Sequence, residues 1–431
     1  MAEFLTSNGW NSTLAIFVST LLGVIVVATF GLVWFAAIGL MLERKFAARV
    51  QDRMGPNRVG PFGLLQPLPD VIKMITKEDI TPDGADKVIF NIAPLITVAA
   101  VLLIWAVVPF SKQLIGADLN VGAVYFLAVG SLGTLGVLLA GWSSNNKYAL
   151  LGALRAVAAL ISYEVPMVLA VLVTVLLAGT MSMEGIVQQQ HVWYIFAVPI
   201  SAFIFFTSNL AESGRAPFDV IEAESELVSG YNTEYTGMKF GMFQAAEFIH
   251  SFTGCALFAI LFLGGWRGIG SDQANLGGTV FGFAYFFGKT MVVYLIMMLI
   301  RNTIPRLRID QMMAFNWKFL VPLSLLNVLV VALLQKLFVP DYLAAQTMID
   351  NGGLGGTLAS IFGAGLVAEI PRTIALLLAN AVILGAIGTF VRQAANQERQ
   401  TAGVVRSGTV PPAPRAPDIH PVPVSPATTG D

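Results

Sequence analysis

Long apolar runs alternate with short polar segments along most of this chain. A helix needs about 20 apolar residues to cross the hydrocarbon core of a bilayer, so each long run predicts one transmembrane helix. The nine predicted spans are residues 12–42, 88–110, 121–142, 148–178, 192–209, 246–266, 279–300, 319–339 and 366–391.

The composition supports a membrane protein. Apolar residues make up 56% of the chain and charged residues 12%, whereas a soluble domain carries roughly twice that charged fraction. We therefore predict an all-α polytopic membrane protein with about nine transmembrane helices. No basic segment precedes the first apolar run, and this run is too long for a signal peptide, which indicates a retained helix.

Basic residues concentrate in alternate loops. The segment after the first predicted span holds the densest group, and further Lys and Arg residues follow the fifth, seventh and ninth spans. Cytoplasmic loops of membrane proteins carry such an excess of positive charge. The pattern predicts an N-terminus outside and a C-terminus in the cytoplasm.

The first inside loop contains a second kind of helix. After a rigid path rich in Gly and Pro, apolar residues recur at helical spacing and lysines flank them, which predicts an amphipathic helix in the membrane interface. One interpretation is a surface anchor; the other is an entrance for a lipid-tailed ligand between this helix and the first span. The apolar positions are Leu64, Leu65, Leu68, Val71, Ile72 and Ile75.

The C-terminal part differs in composition. We predict an eight-helix membrane domain over residues 1–340, and an outer loop with the ninth helix over residues 341–398. Residues 399–431 are rich in Pro, Ala, Thr and Val, and such a segment cannot bury enough apolar surface to fold. We predict a disordered tail with polyproline II character.

Acidic residues gather between the fifth and sixth predicted spans. Pro217 suits the first turn of a helix and Gly230 its end. At about 100° per residue, Asp219, Glu222 and Glu226 share an arc of roughly 60°. The face is either simply solvated or, because spans flank it, part of a proton pathway. The acids are Glu212, Asp219, Glu222, Glu224, Glu226, Glu234 and Glu247.

Two charged residues lie near the middle of predicted spans. Glu164 is about halfway along the fourth, and Pro166 should free a backbone carbonyl one turn before it. Lys289 is near the middle of the seventh. Such charges need a partner or water, so they either neutralise each other or belong to a proton path. His250 shares a helix face with Glu247. A structural role for this histidine is preferred to a role in the relay.

Several kinds of site are excluded by residue counts. One cysteine, Cys255, and three histidines are too few for an iron–sulfur cluster, a disulfide or a thiolate metal site, and no metal is predicted. The chain shows no basic patch with interleaved aromatics for nucleic acid. The GGLGG at residues 352–356 lacks the strand and helix of a nucleotide site.

Four long blocks form a pattern of their own. They read ERKFAARVQDRMGPNRVGPFGLLQPLPD, SNNKYALLGALRAVAALISYEVP, NLAESGRAPFDVIEAESELVSGYNTEYTGMKF and RNTIPRLRIDQMM. Their order among the spans, within residues 42–334, resembles the H-subunit family of the proton-pumping NADH–quinone oxidoreductase, respiratory complex I. The family core has eight spans, so the ninth span and the Pro-rich tail depart from it.

The resemblance implies a subunit of the bacterial plasma membrane, the cell inner membrane, where the membrane arm meets the hydrophilic redox arm. It implies ubiquinone or menaquinone as substrate, and partner subunits of the iron–sulfur arm and the antiporter-like membrane arm. FMN and iron–sulfur clusters would lie only in those partners. The quinone-chamber residues carried over by motif are Arg44, Arg49, Arg53, Gly55, Arg58, Gln66, Asp70, Lys73 and Phe218. The implied proton relay consists of Glu164, Glu212, Asp219, Glu222, Glu224, Glu226, Glu247 and Lys289.

Two other functions fit the same apolar architecture. A homologous subunit of a membrane-bound hydrogenase would share the fold and use no quinone, but the intact first inside loop favours quinone. A stand-alone secondary cation/H⁺ transporter would place its acids at the midplane and show inverted repeats. Here the acids cluster in an inside loop, and the two halves show no such repeat.

Overall fold

The computed structural model describes residues 39–219, 228–268, 276–338 and 364–406, together with Leu14, Val18 and Ser271. These residues are helical or irregular, with one isolated antiparallel bridge between Pro109 and Ile115. The helices are α1 Leu40–Val50, α2 Pro67–Thr76, α3 Lys87–Ile104, α4 Gly122–Ser143, α5 Lys147–Ala178, α6 Met183–Gln189, α7 Tyr194–Ala197, α8 Pro199–Glu212, α9 Gly237–Phe262, α10 Leu276–Thr303, α11 Ile309–Phe315, α12 Val321–Leu337 and α13 Ala364–Arg406.

Seven helices in the described part are long and apolar enough to cross a membrane. They correspond to seven of the nine predicted spans. The first predicted span, 12–42, lies almost wholly outside the described residues, and the fifth has a different form. The seven are Lys87–Val107, Gly122–Ser143, Lys147–Ala178, Gly237–Phe262, Gly277–Thr303, Ile309–Leu337 and Glu369–Thr389.

The fifth predicted span is broken into α7 and α8. The break falls at Val198, whose backbone has φ −132° and ψ 65°, immediately before Pro199. Proline lacks an N–H and disfavours helical geometry in the residue before it. The second piece continues to Glu212, so the direction of the chain after the break determines the position of the Glu212 carboxylate.

Local chemistry explains the boundaries of the neighbouring helices. The Asp86 carboxylate accepts from the N–H groups of Val88 and Ile89 at the start of α3, and the Asn146 side chain accepts from Tyr148 at the start of α5. These contacts satisfy N–H groups that have no partner inside a helix. At the end of α5, Gly179 adopts a left-handed conformation with φ 68°, as C-terminal caps require.

The cytoplasmic half of the bundle, by the predicted orientation, has an aromatic core among small residues. The rings of Phe90 and Tyr235 stack with centroids 4.1 Å apart, and Phe243 meets Tyr235 edge-on at 4.9 Å. Ala140 and Ala153 are fully buried beside them. Small side chains let membrane helices approach closely, and this approach brings α3, α4, α5 and α9 together.

Helix α2 forms where the sequence predicts a helix in the first inside loop. Its apolar residues Leu68, Ile72 and Ile75 are exposed. Downstream, the Ile80 N–H donates to Thr236 Oγ1 at 3.1 Å, which ties this segment to the start of α9. The location of α2 at the lipid interface stays a prediction.

The chain divides into two compact units, Met1–Asn380 and Ala381–Asp431. In the first, α13 carries a buried ion pair, Arg372 Nη2 to Glu369 Oε1 at 3.0 Å, and the Asn380 amide donates to the Ala197 carbonyl at 3.5 Å. The predicted domain boundaries at 340 and 398 stay predictions. Most of the predicted tail, residues 407–431, lies outside the described residues.

Candidate functional site

Two small cavities lie side by side within the helix bundle. Their volumes are about 60 Å³ and about 40 Å³, enough for a few water molecules. Glu212 and His250 line both cavities. Glu247 lines the larger one with Thr97 and Tyr231, while the smaller one adds Glu164, Asn209 and Thr253.

Glu164 is held from the neighbouring helix. Thr134, on α4, donates its hydroxyl to Glu164 Oε1 at 3.2 Å. Pro166, two residues further along α5, cannot donate to the carbonyl of Ser162. Asn316 fills that position instead, with its amide 2.6 Å from the Ser162 oxygen. The predicted free carbonyl is therefore confirmed, and its partner comes from the π-helical segment Asn316–Leu320 between α11 and α12.

Glu212 and His250 face each other from different helices. Glu212 ends α8, and its Oε1 lies 3.7 Å from His250 Nε2 on α9. Both side chains are largely buried, with 8% and 18% of their surfaces exposed. The sequence favours a structural role for His250, but its ring lies on the walls of both cavities and next to a carboxylate.

Glu247 is fixed by an aromatic hydroxyl. Tyr231, in the short turn Gly230–Asn232, donates to Glu247 Oε1 at 3.1 Å. The turn packs against α5 because Gly152 leaves no side chain in between. The cavities therefore bring together three carboxylates and an imidazole, those of Glu164, Glu212, Glu247 and His250.

The first inside loop forms an open groove with a volume of about 560 Å³. Three of the predicted chamber residues, Arg49, Arg53 and Gly55, line it together with Lys45 and Phe62. The Lys45 ammonium lies 5.9 Å from the centre of the Phe62 ring. Basic groups beside an aromatic ring suit a planar ligand head group whose oxygens accept hydrogen bonds.

Further predicted chamber residues meet between α1 and α2. Arg44 Nη1 lies 2.5 Å from Asp70 Oδ2, and the Gln66 amide reaches Asp70 Oδ1 at 3.4 Å. Gly63 has φ +75°, and a side chain there would collide with the backbone of Pro56. The rigid Gly/Pro path thus sets the spacing of the two helices. Arg58 and Lys73 are exposed.

Phe218 does not line this groove. Its ring packs between those of Tyr163, at 5.4 Å, and Phe315, at 6.5 Å. Pro217, predicted to begin a helix, instead lies in a turn closed by the Phe218 N–H and the Arg215 carbonyl. Asp219 follows and is partly buried. The predicted relay residues Glu222, Glu224 and Glu226 lie outside the described residues.

Lys289 has partners other than Glu164. Its ammonium donates to the carbonyls of Leu263, Gly265 and Arg267 at 2.8–3.0 Å, just beyond the C-terminal end of α9. A cation is favourable there because the last carbonyls of a helix carry partial negative charge. The interpretation of Lys289 and Glu164 as a neutralising pair was wrong.

Near Lys289, His191 lies in the loop before α7. Burial, with the charges of Arg267 and Arg372, lowers its pKa below the ordinary 6.5. Below pH 6.5 the imidazole therefore takes up a proton more readily in the unfolded chain than in the folded protein. The stability that the neutral His191 contributes is full above pH 6.5 and is lost as the pH falls below it. We expect the melting temperature of His191→Gln to fall less than that of the wild type between about pH 7.5 and about pH 5.5. An equal fall in both proteins would contradict this.

Sequence reasoning missed several side chains of the site. Thr134 and Tyr231 hold the carboxylates of Glu164 and Glu247, and Asn316 supports α5 beside Pro166. The one available signal was that Tyr231 and Asn316 stand within or next to the four long blocks. Neutral residues in apolar helices give no periodic signal of their own.

Comparisons with known proteins agree on one family. The family model for NADH dehydrogenase matches residues 22–332. The H subunit of NADH-quinone oxidoreductase from Dehalococcoides mccartyi is 44% identical over 350 residues, covering 81% of this chain and 93% of that relative. The equivalent protein of Bacillus cytotoxicus is 43% identical over 335 residues, covering 77% and 98%, and that of Bacillus mycoides is 44% identical over 318, covering 73% and 94%. This chain belongs to the family of H subunits of NADH-quinone oxidoreductase.

Proposed function

We propose that this protein is the membrane subunit of a proton-pumping NADH–quinone oxidoreductase that frames the quinone chamber and couples quinone reduction to proton movement. The observation that carries the proposal is the position of Glu212 and His250, which line both cavities. These two residues share the larger cavity with Glu247 and the smaller one with Glu164. The family relationship favours this function over a hydrogenase component or a cation transporter.

The groove of the first inside loop is the proposed entrance side of the chamber. The exposed apolar residues of α2 would contact lipid and guide the isoprenoid tail of ubiquinone or menaquinone. The basic and aromatic residues of the groove would receive the head group, and the Arg44–Asp70 ion pair, with Gln66, would hold α1 and α2 together. Partner subunits would supply the electrons from their FMN and iron–sulfur clusters.

Reduction of the quinone by two electrons takes up two protons, and an acid of the loop that supplies one of them is left negatively charged. A unit charge at about 8 Å, with an effective dielectric constant near 20, alters the free energy of ionising a carboxylate by about 2 kcal/mol. This is enough to move a proton between neighbouring acids of similar affinity. We place the path from Asp219, Glu222, Glu224 and Glu226 through Glu247, Glu212 and His250 to Glu164. Lys289 binds the carbonyls just beyond the C-terminal end of α9 and would hold that end of the helix in place.

The proposal places the protein in the bacterial plasma membrane with its N-terminus outside and its C-terminus in the cytoplasm. The groove and the acidic loop then face the cytoplasm, where the hydrophilic arm would dock. The antiporter-like subunits would accept the proton signal from the bundle.

Photo-crosslinking with an azido-quinone in native membranes tests the chamber. We expect label in residues 44–77 or 218–226, lost when excess unmodified quinone competes. Changing both Arg49 and Arg53 to Gln should lower the yield roughly tenfold, whereas Lys147→Gln, at an exposed cation elsewhere on the predicted inside face, should not. Label confined to the loop at residues 179–193 would refute the chamber.

A further inference from the structure

Three distant segments meet at the carboxylate of Glu43. Glu43 lies on α1 and accepts from Arg215 Nη1 at 2.7 Å. The same carboxylate pairs with Arg301, in the last turn of α10. The Glu43 and Arg215 side chains are 9% and 10% exposed, and that of Arg301 is 35% exposed. One carboxylate therefore joins the first inside loop, the acidic loop and the end of α10.

Two guanidinium groups share this one carboxylate. Buried charges are costly unless they are paired, and Glu43 pairs with both arginines at once. Its negative charge also screens the two guanidinium groups from each other. Without the carboxylate, Arg215 and Arg301 would repel each other and move apart.

Arg215 also contacts the helix of the cavities. Its guanidinium carbon lies 4.1 Å from the centre of the Phe248 ring, a cation–π contact. Phe248 follows Glu247, whose carboxylate faces the larger cavity. Along the chain, Arg215 stands three residues after Glu212 and three before Phe218. A shift of Arg215 would move groups of the cavity and of the acidic loop together.

We propose that Glu43 is a positioning residue that couples the two sites. By holding Arg215 against Phe248, it fixes the distance between the groove of the first inside loop and the cavity acids Glu212 and Glu247. This inference rests on the proposed function. It adds the physical link by which a change in the quinone chamber reaches the cavities.

The test compares Glu43→Gln with Glu43→Asp in the whole enzyme in membranes. In Glu43→Gln we expect the KM for a short-chain quinone to rise roughly tenfold, equivalent to about 1.4 kcal/mol, and the protons moved per electron to fall at least about twofold. Oxidation of NADH by ferricyanide should not change. Glu43→Asp keeps the charge and should recover most of both quantities. Glu184→Gln, an outer-loop acid outside the cluster, is the matched control.

Phe248→Leu keeps every charge and is the substitute test variant if Glu43→Gln does not assemble. It removes only the stacking partner of Arg215, so we expect fewer protons per electron with a nearly normal quinone KM. Unchanged proton-to-electron ratios in both assembled variants would overturn the proposal.

Hydrogen exchange of residues 213–219 separates this proposal from the proposed function. Exchange should accelerate in Glu43→Gln and not in Glu184→Gln. Faster exchange with an unchanged KM and pumping ratio would reduce the cluster to a structural ion pair and overturn the coupling role. Accelerated exchange combined with quinone label outside the groove would instead mean that the proposed chamber is wrong.

Discussion

Glu212→Gln is expected to abolish most quinone-coupled proton translocation while NADH oxidation by ferricyanide continues. This carboxylate lines both cavities and lies 3.7 Å from His250 Nε2. A glutamine of the same shape keeps the packing but cannot take up or release a proton. Loss of a positioned acid or base costs roughly 100-fold in proton-transfer steps, so we expect a fall of at least about tenfold in pumping.

Proton uptake by inverted membrane vesicles, measured with a pH-sensitive dye, is the direct assay. Glu212→Asp retains an acid and should keep part of the activity. Glu184→Gln, on the opposite side of the membrane by the predicted orientation, should pump normally. Wild-type pumping in Glu212→Gln would remove the cavities from the proton path.

Gly152→Ala should damage the site through packing alone. A Cβ atom at Gly152 would lie 2.7 Å from the Cα of Gly230 and 3.1 Å from the N of Tyr231. These are backbone atoms, so no side chain can move aside, and overpacking of this kind costs about 1–3 kcal/mol. The displaced turn would also pull the Tyr231 hydroxyl away from Glu247.

The measurement is the thermal stability of the purified enzyme together with its quinone reductase rate. Gly288→Ala is the matched control, because a Cβ there meets no atom within 4 Å among the described residues. We expect lower stability and a lower rate only in Gly152→Ala. Equal behaviour of the two variants would contradict the close packing of α5 against the turn.

The residues around the cavities were accessible from the sequence to different degrees. Carboxylates in an apolar chain are conspicuous, so Glu164, Glu212 and Glu247 stand out in the sequence alone. Their roles came from the resemblance and stay proposals. Thr134 and Tyr231 could not be found, because a hydroxyl costs little in any helix and shows its use only when a partner from another segment reaches it.

The interpretation of Lys289 and Glu164 as a neutralising pair failed for a physical reason. Lys289 and Glu164 are isolated charges in separate spans, and pairing them was the simplest way to neutralise both. The structure gives Lys289 the carbonyls beyond α9 and gives Glu164 the hydroxyl of Thr134. A charge in a span needs polar neighbours, but composition cannot say whether they are side chains or backbone.

The sequence by itself determined the class of molecule, the position of most helices and the chemistry available to them. Apolar length fixes a span because the bilayer demands about 20 residues, and residues such as Gly179 and Pro199 fix ends and breaks through their own backbone chemistry. Only the tertiary structure decided that Glu212 and His250 share two cavities, and that Glu43 holds two arginines from distant segments. Contacts between residues far apart in the sequence depend on how helices pack, since local propensity acts only over a few residues along the chain.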